Sequence, residues 1–245
     1  MSATLHIAAA AALLAACRPA SAEPGDPPRE PPRTAKLDAA AITRLHMRAK
    51  LYDVRAVQRA LLRGRVVEAK ILAREIATAP EEPALADWAA MLARVREQAQ
   101  AVATAVSDDD ALRRLPHLAA ACAECHVASG SWPTLAAAPP APTDHPIVLR
   151  MARHEWATDR MWDGLIGGRE DAWHAGLEVL AASPPPFALA DGDEVALAKE
   201  LQVQATAALR DRPADSLDTR VRIYGELLVT CAACHDTNTK TKRKP

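Results

Sequence analysis

Aromatic residues are scarce in this chain, whose 245 residues include only one Phe, two Tyr and five Trp. Glycine is also scarce, with nine residues, whereas alanine supplies much of the 49% hydrophobic content. This combination favours close-packed helices, because alanine has the highest helix propensity. The formal net charge of -1 provides no excess of positive charge, and therefore no indication of nucleic-acid binding.

Cysteine is sparse as well, but four of the five cysteines fall into two copies of one short motif, C-x-x-C-H. The two copies are Cys122-Ala-Glu-Cys125-His126 and Cys231-Ala-Ala-Cys234-His235. This motif attaches c-type haem: two thiols one helical turn apart form thioether bonds, and the adjacent histidine ligates the iron. The sequence therefore predicts two covalently bound haem c groups.

The two motifs have two other possible interpretations, a zinc site and a thioredoxin-like redox site. A zinc site would combine the four cysteines with the two histidines, but more than a hundred residues separate the pairs, unlike the compact spacing of common structural zinc modules. A thioredoxin-like redox site requires a βαβ context, and the sequence shows no such pattern. Haem attachment at both motifs is therefore the preferred interpretation.

The start of the chain is typical of an export signal. The apolar segment at residues 7–16 is too short to span a bilayer and is followed by small residues. Two alternative processing sites follow. The sequence L-A-A-C, which ends at Cys17, resembles a bacterial lipobox and predicts a lipid on Cys17. Residues 20–22 instead fit the cleavage site of an ordinary signal peptidase. Both predict a periplasmic protein, and the lipobox also predicts attachment to a membrane surface.

Proline-rich stretches divide the rest of the chain into two runs of helical periodicity, each with four apolar segments. The predicted fold is all-α, with two tandem four-helix bundles that each carry a C-x-x-C-H haem site at the end of the fourth helix. The predicted segments are a signal at 1–22, a tether at 23–35, bundles at 36–128 and 146–237, a linker at 129–145 and a basic tail at 238–245.

The two halves are related as a repeat. Aligning Leu61–Arg65 with Leu165–Arg169 fixes an offset of 104 residues, at which Met47 falls on Met151. Each methionine lies in the first helix of its half, and a thioether sulfur is a suitable iron ligand opposite histidine. We therefore predict Met47 and Met151 as axial ligands, with filling of core gaps as the alternative role of both.

Histidine is the main rival at the second site. His154 lies three residues after Met151 and shares its helical face, whereas the equivalent position in the first half is Lys50. A histidine ligand would therefore be specific to the second site, where His154 stays open as a competitor of Met151.

The order of these features resembles the cytochrome c prime family, including its low-spin relatives with a methionine ligand. The resemblance covers Lys36–His126 and Pro146–Asp236, and the segment from Cys231 to Asp236 is particularly similar to the closing motif of the family. It implies that each half is a four-helix bundle with haem attached near the end of the last helix and the distal side supplied by the first. The whole chain would then be a tandem dihaem form.

The function expected from these features is electron transfer rather than enzymatic catalysis. An iron that already holds histidine and methionine has no open position for a substrate, and redox proteins, which the sequence does not identify, are the expected partners. If a methionine is absent from the iron, the alternative is binding or sensing of nitric oxide or carbon monoxide. A dihaem peroxidase-like enzyme ranks third, because it needs proton-moving distal groups that His154 and Glu155 only approximate.

Overall fold

The computed structural model describes residues 38–80, 83–133, 135, 138–142, 147–183, 192–210 and 216–241. The predicted signal, Cys17 and the tether lie outside the described residues, as do parts of the predicted linker and the last four residues of the tail. Within the described ranges the chain forms eight α-helices, one 3₁₀ helix and no strand, which confirms the all-α prediction. No helix in these ranges is both long enough and apolar enough to cross a membrane.

The first half contains four α-helices and one 3₁₀ helix, and α4 has clear local signals at both ends. They are α1 (Ala39–Leu62), α2 (Val66–Thr78), a 3₁₀ helix (Pro83–Trp88), α3 (Ala89–Ala103) and α4 (Asp108–Ser129). At the start of α4, the Ser107 hydroxyl oxygen accepts a hydrogen bond from the Asp110 backbone N–H at 3.1 Å. The helix ends at Gly130, whose φ of 64° is readily adopted by glycine. The first C-x-x-C-H motif therefore lies at the end of its helix, as predicted.

The second half contains α5 (Ile147–Gly167), α6 (Glu170–Ala182), α7 (Asp193–Arg210) and α8 (Leu217–Thr241). Its last helix continues to Thr241, so the second motif lies inside α8 and the prediction that it ends the helix is wrong. The reason is local: no glycine or proline follows His235 before Thr241, and nothing in that segment stops the helix as Gly130 stops α4.

The helix boundaries agree with the repeat found in the sequence. Gly64 and Gly168, which are 104 residues apart, both have positive φ values, of 68° and 60°. A helix of 13 residues begins two residues after each glycine. The starts of α3 and α7 are also 104 residues apart, whereas those of α4 and α8 are 109 apart. The additional residues of the second half therefore lie between the start of α7 and the start of α8.

The helices of both halves surround one continuous core. Consecutive helices pack side by side within each half, and α4 connects the halves by packing against both α5 and α8. The largest buried side chains come from both halves and include Leu61, Leu115, Trp162, Leu177 and Tyr224. The described residues from Asp38 onward belong to one compact unit. The finer division into two bundles joined by a linker at 129–145 stays a prediction.

A buried ionic cluster also joins the halves. The Asp163 side chain on α5 is 2% exposed and contacts the guanidinium groups of Arg55 on α1 and Arg160 on α5. Burial raises the pKa of the Asp163 carboxyl, and the two guanidinium groups oppose that rise. Water is largely excluded from these charged groups. Loss of one charge should therefore destabilise the fold, because it leaves the other charges without a partner.

Candidate cofactor-attachment sites

The first motif occupies the last two turns of α4. Cys122 and Cys125 are reduced thiols, half-buried and one helical turn apart, and Cys122 packs against the apolar core. Burial raises the pKa of the Cys122 thiol to about 12 and also raises the pKa of Cys125. Both side chains are therefore neutral thiols at pH 7, and the Cys122 thiol lies in an apolar setting.

Helix α1 lies beside this motif. The positive charge of Lys50 acts to lower the pKa of Cys122, although burial has the larger effect, so this turn of α1 lies near the motif. Met47 lies one turn before Lys50 on the same face of α1 and is half-buried. The predicted ligand Met47 is thus one helical turn from Lys50, the residue of α1 whose charge acts on Cys122.

The ring of His126 is oriented by the second half of the chain. Its Nδ1 lies 3.0 Å from the backbone carbonyl oxygen of Ile166, in the last turn of α5. Because a carbonyl oxygen only accepts, Nδ1 carries the proton in this contact, and the lone pair of the neutral ring is on Nε2. The Ile166 carbonyl is among the last four of α5, which have no partner within their helix. His126 therefore satisfies a helix end and keeps Nε2 as the nitrogen suited to a metal.

Trp132 completes the surroundings of His126. The two ring centroids are 6.4 Å apart, with the ring planes inclined by 55°. The same indole covers the turn between α5 and α6, where a Cβ added to Gly168 would lie 2.6 Å from it. Sequence reasoning placed Trp132 in a linker and missed this role. The sequence did contain one indication of this role, because a solvated proline-rich linker has no need of a large apolar ring such as the indole of Trp132.

The second motif has the same thiols but a different histidine environment. Cys231 and Cys234 are half-buried and reduced, and burial raises the pKa of Cys231 to about 12 and raises that of Cys234. The His235 side chain is exposed, although the protein around it still lowers the pKa of its imidazole through partial desolvation. Among the described residues, the structure records no hydrogen bond to the His235 ring, in contrast to the bond that His126 makes.

The distal candidates of the second half lie on the first three turns of α5. Met151 is 43% exposed. His154, one turn later on the same face, is half-buried, and its Nε2 is shielded from solvent. Met151 and His154 therefore both stay predicted ligand candidates of the second site.

The donors at the first motif fit a covalently attached haem. The first motif provides two reduced thiols at the spacing that thioether bonds require, and an imidazole whose proton is already held on Nδ1. In the part of the chain that the structure describes, no three histidine, cysteine or acidic side chains converge as ligands of a bare ion, so the two motifs do not combine into one zinc site. Comparison with protein-family models, with curated proteins and with solved structures finds no match to this chain.

Proposed function

We propose that the protein is a dihaem c-type cytochrome, with one haem c on each motif, that carries single electrons between redox partner proteins. The observation that supports this most strongly is the arrangement at the end of α4. There, two reduced thiols precede an imidazole whose Nδ1 proton is bound by the Ile166 carbonyl at 3.0 Å. A histidine that only capped α5 would account for the hydrogen bond, but not for two thiols one turn away.

The thiols of each motif attach the cofactor. Each S–H adds across one vinyl group of the porphyrin, with sulfur bonding to one carbon and the hydrogen going to the other, so no oxidant is required. Burial of Cys122 and Cys231 keeps this sulfur on an apolar surface that suits a large flat ring. When bound, the haem supplies an iron that changes between the ferrous and ferric states by one electron.

The repeat and the position of Met47 near the first motif support the remaining ligand assignments. His126 and His235 are the proposed fifth ligands, and Met47 and Met151 are the proposed sixth ligands. If a histidine and a methionine held each iron, no position on it would remain for a substrate, which favours electron transfer over catalysis. Export to the periplasm and a lipid on Cys17 belong to the same proposal and rest on the sequence alone.

A redox titration of the purified haem protein, followed by visible absorption, tests this proposal. We expect two covalently bound haems per chain, two resolved one-electron steps and the far-red absorption band of a sulfur-to-iron bond. Cys122→Ala with Cys125→Ala should remove one haem and leave the other titration step in place. Fewer than two haems in the parent protein, or the absence of the far-red band in both sites, would refute the dihaem His/Met assignment.

A second candidate function is binding of a small gas at the second site. The observation in its favour is the 43% exposure of Met151, which leaves this side chain accessible to displacement by another ligand. Carbon monoxide added to the ferrous protein separates the two functions. A saturated carrier shows little spectral change, whereas a rapid shift in the haem on Cys231 and Cys234 assigns gas binding to that site.

A further inference from the structure

We propose that the last turn of α5 is the positioning element of the first haem ligand. In this arrangement the Ile166 carbonyl, in the second half of the chain, lowers the reduction potential of the haem attached in the first half. The inference rests on the proposed function and deepens it, because it identifies the group that makes the two sites unequal.

The repeat shows that this contact is made by one half only. At the offset of 104 residues, the counterpart of Ile166 is Leu62, at the end of α1. The symmetric contact would join Leu62 to His235, but His235 is exposed and the described residues provide it with no such bond. The helix packing has the same asymmetry, since α4 packs extensively against α5, whereas the contact between α8 and α1 is small.

A hydrogen bond from Nδ1 to a carbonyl oxygen changes the imidazole as a ligand. It draws the N–H proton toward the acceptor, and the ring then donates more electron density through Nε2. The negative end of the α5 dipole acts in the same direction, because the Ile166 carbonyl is one of the terminal carbonyls of that helix. Stronger donation stabilises ferric iron, so the contact should lower the potential of the first haem.

The contact is partly buried. Ile166 is 2% exposed, the His126 side chain is half-buried, and the ring of Trp132, itself 51% exposed, lies 6.4 Å from that of His126. A hydrogen-bonded N–H proton exchanges with solvent mainly when its bond opens. The His126 and His235 N–H protons should therefore differ in exchange rate.

The first test is proton exchange in the haem protein labelled with nitrogen-15 at histidine. In ferrous protein transferred to deuterated water, we expect the Nδ1–H signal of His126 to decay at least about tenfold more slowly than that of His235. The His126 signal is assigned by nuclear Overhauser effects between its protons and those of Trp132. Equal rates at the two sites, or the slower decay at His235, would overturn the proposal.

The second test weakens the acceptor without changing any side chain. A backbone ester between Ile166 and Gly167, in which oxygen replaces the Gly167 nitrogen, makes the Ile166 carbonyl a poorer acceptor. We expect the potential of the first haem to rise and that of the second to stay unchanged. The matched control is the ester at the repeat-equivalent bond between Leu62 and Arg63, which also removes one helix N–H donor. Unchanged potentials with the first ester, or the same shift with both, refute the tuning role.

A side-chain variant provides a measurement that does not depend on ester incorporation. Trp132→Ala should speed exchange of the His126 proton and raise the potential of the first haem only. Trp156→Phe is the control, because the Trp156 indole N–H donates to the Pro139 carbonyl at 2.8 Å and holds another part of the same segment. Equal effects of the two variants would show that the segment as a whole, rather than the contact at His126, matters.

Failure of this inference is distinguishable from failure of the proposed function. The exchangeable histidine signal is observable in low-spin and high-spin ferrous haem alike, so high-spin iron would refute the saturated carrier while the exchange test still decides the role of Ile166. A protein without haem at Cys122 and Cys125 would refute both.

Discussion

Gln58 and Tyr224 join the first helix of the fold to the last. The Gln58 Nε2 donates a hydrogen bond to the Tyr224 hydroxyl oxygen at 2.9 Å, and both residues are buried. The Tyr224 hydroxyl in turn donates to the carbonyl oxygen of Thr158, on α5, at 3.2 Å. Three helices from both halves therefore share a polar contact that water does not reach, so its partners depend on one another.

Removal of both partners in this contact should cost less than the sum of the two single removals. Tyr224→Phe removes one of the two acceptors of the buried Gln58 amide, whose Nε2 also lies 3.3 Å from Asp159 Oδ1, and we expect a loss of about 1–3 kcal/mol in the free energy of unfolding. Gln58→Leu combined with Tyr224→Phe should cost less than the sum of the two single variants, because no donor is then stranded. Urea unfolding of the purified protein measures all three. Strict additivity would show that the two side chains do not interact energetically.

The Asp163 cluster should be sensitive to loss of its carboxylate. Asp163→Ala leaves Arg55 and Arg160 facing each other in a site where the carboxylate is 2% exposed, and we expect a loss of about 3–5 kcal/mol in the free energy of unfolding. The control is a second ion pair between the halves, Arg63 to Glu155 at 3.1 Å, in which both side chains are about half exposed. Glu155→Ala should cost less than about 1 kcal/mol, and a comparable cost for both variants would contradict the role of burial.

Gly176 should tolerate no side chain. A Cβ at this position would lie 2.5 Å from Met161 Cγ and closer still to the Ala157 carbonyl oxygen, so α5 and α6 would have to separate. We expect Gly176→Ala to lower the free energy of unfolding by about 1–3 kcal/mol, measured by thermal unfolding. Gly64→Asn is the control, since nothing lies within 4 Å of that position and asparagine tolerates positive φ. A larger loss for Gly64→Asn would contradict the close approach of the helices.

Met47 provides the ligand test for the first site. Met47→Ala should abolish the sulfur-to-iron band of the first haem and lower its potential, because methionine favours ferrous iron. Met91→Ala is the matched control on α3, where the half-buried Met91 is expected to contribute to packing alone. If Met47→Ala leaves the spectrum and potential of the first haem unchanged, the ligand assignment is wrong.

Much of the secondary structure could be predicted because its signals are local. The Ser107 hydroxyl caps α4, acidic residues occupy the first turn of that helix, and Gly64 and Gly168 follow the ends of α1 and α5 at equivalent places of the repeat. The end of α8 was predicted wrongly, because the motif was taken to end the helix, whereas no glycine or proline follows His235 before Thr241. The exact partners of these helices could not be predicted, since periodicity identifies an apolar face but not what covers it.

The sequence by itself determined the chemistry available to this protein: the two motifs with their four thiols and two imidazoles, their place in a helical repeat, and the paired methionines. Only the tertiary structure decided that the two motifs have different surroundings. His126 meets a backbone carbonyl of the other half, whereas His235 is exposed. The physical reason is that every residue carries the same backbone carbonyl group, whatever its side chain. The sequence therefore does not mark Ile166 as an acceptor, and only the fold places its carbonyl oxygen 3.0 Å from His126 Nδ1.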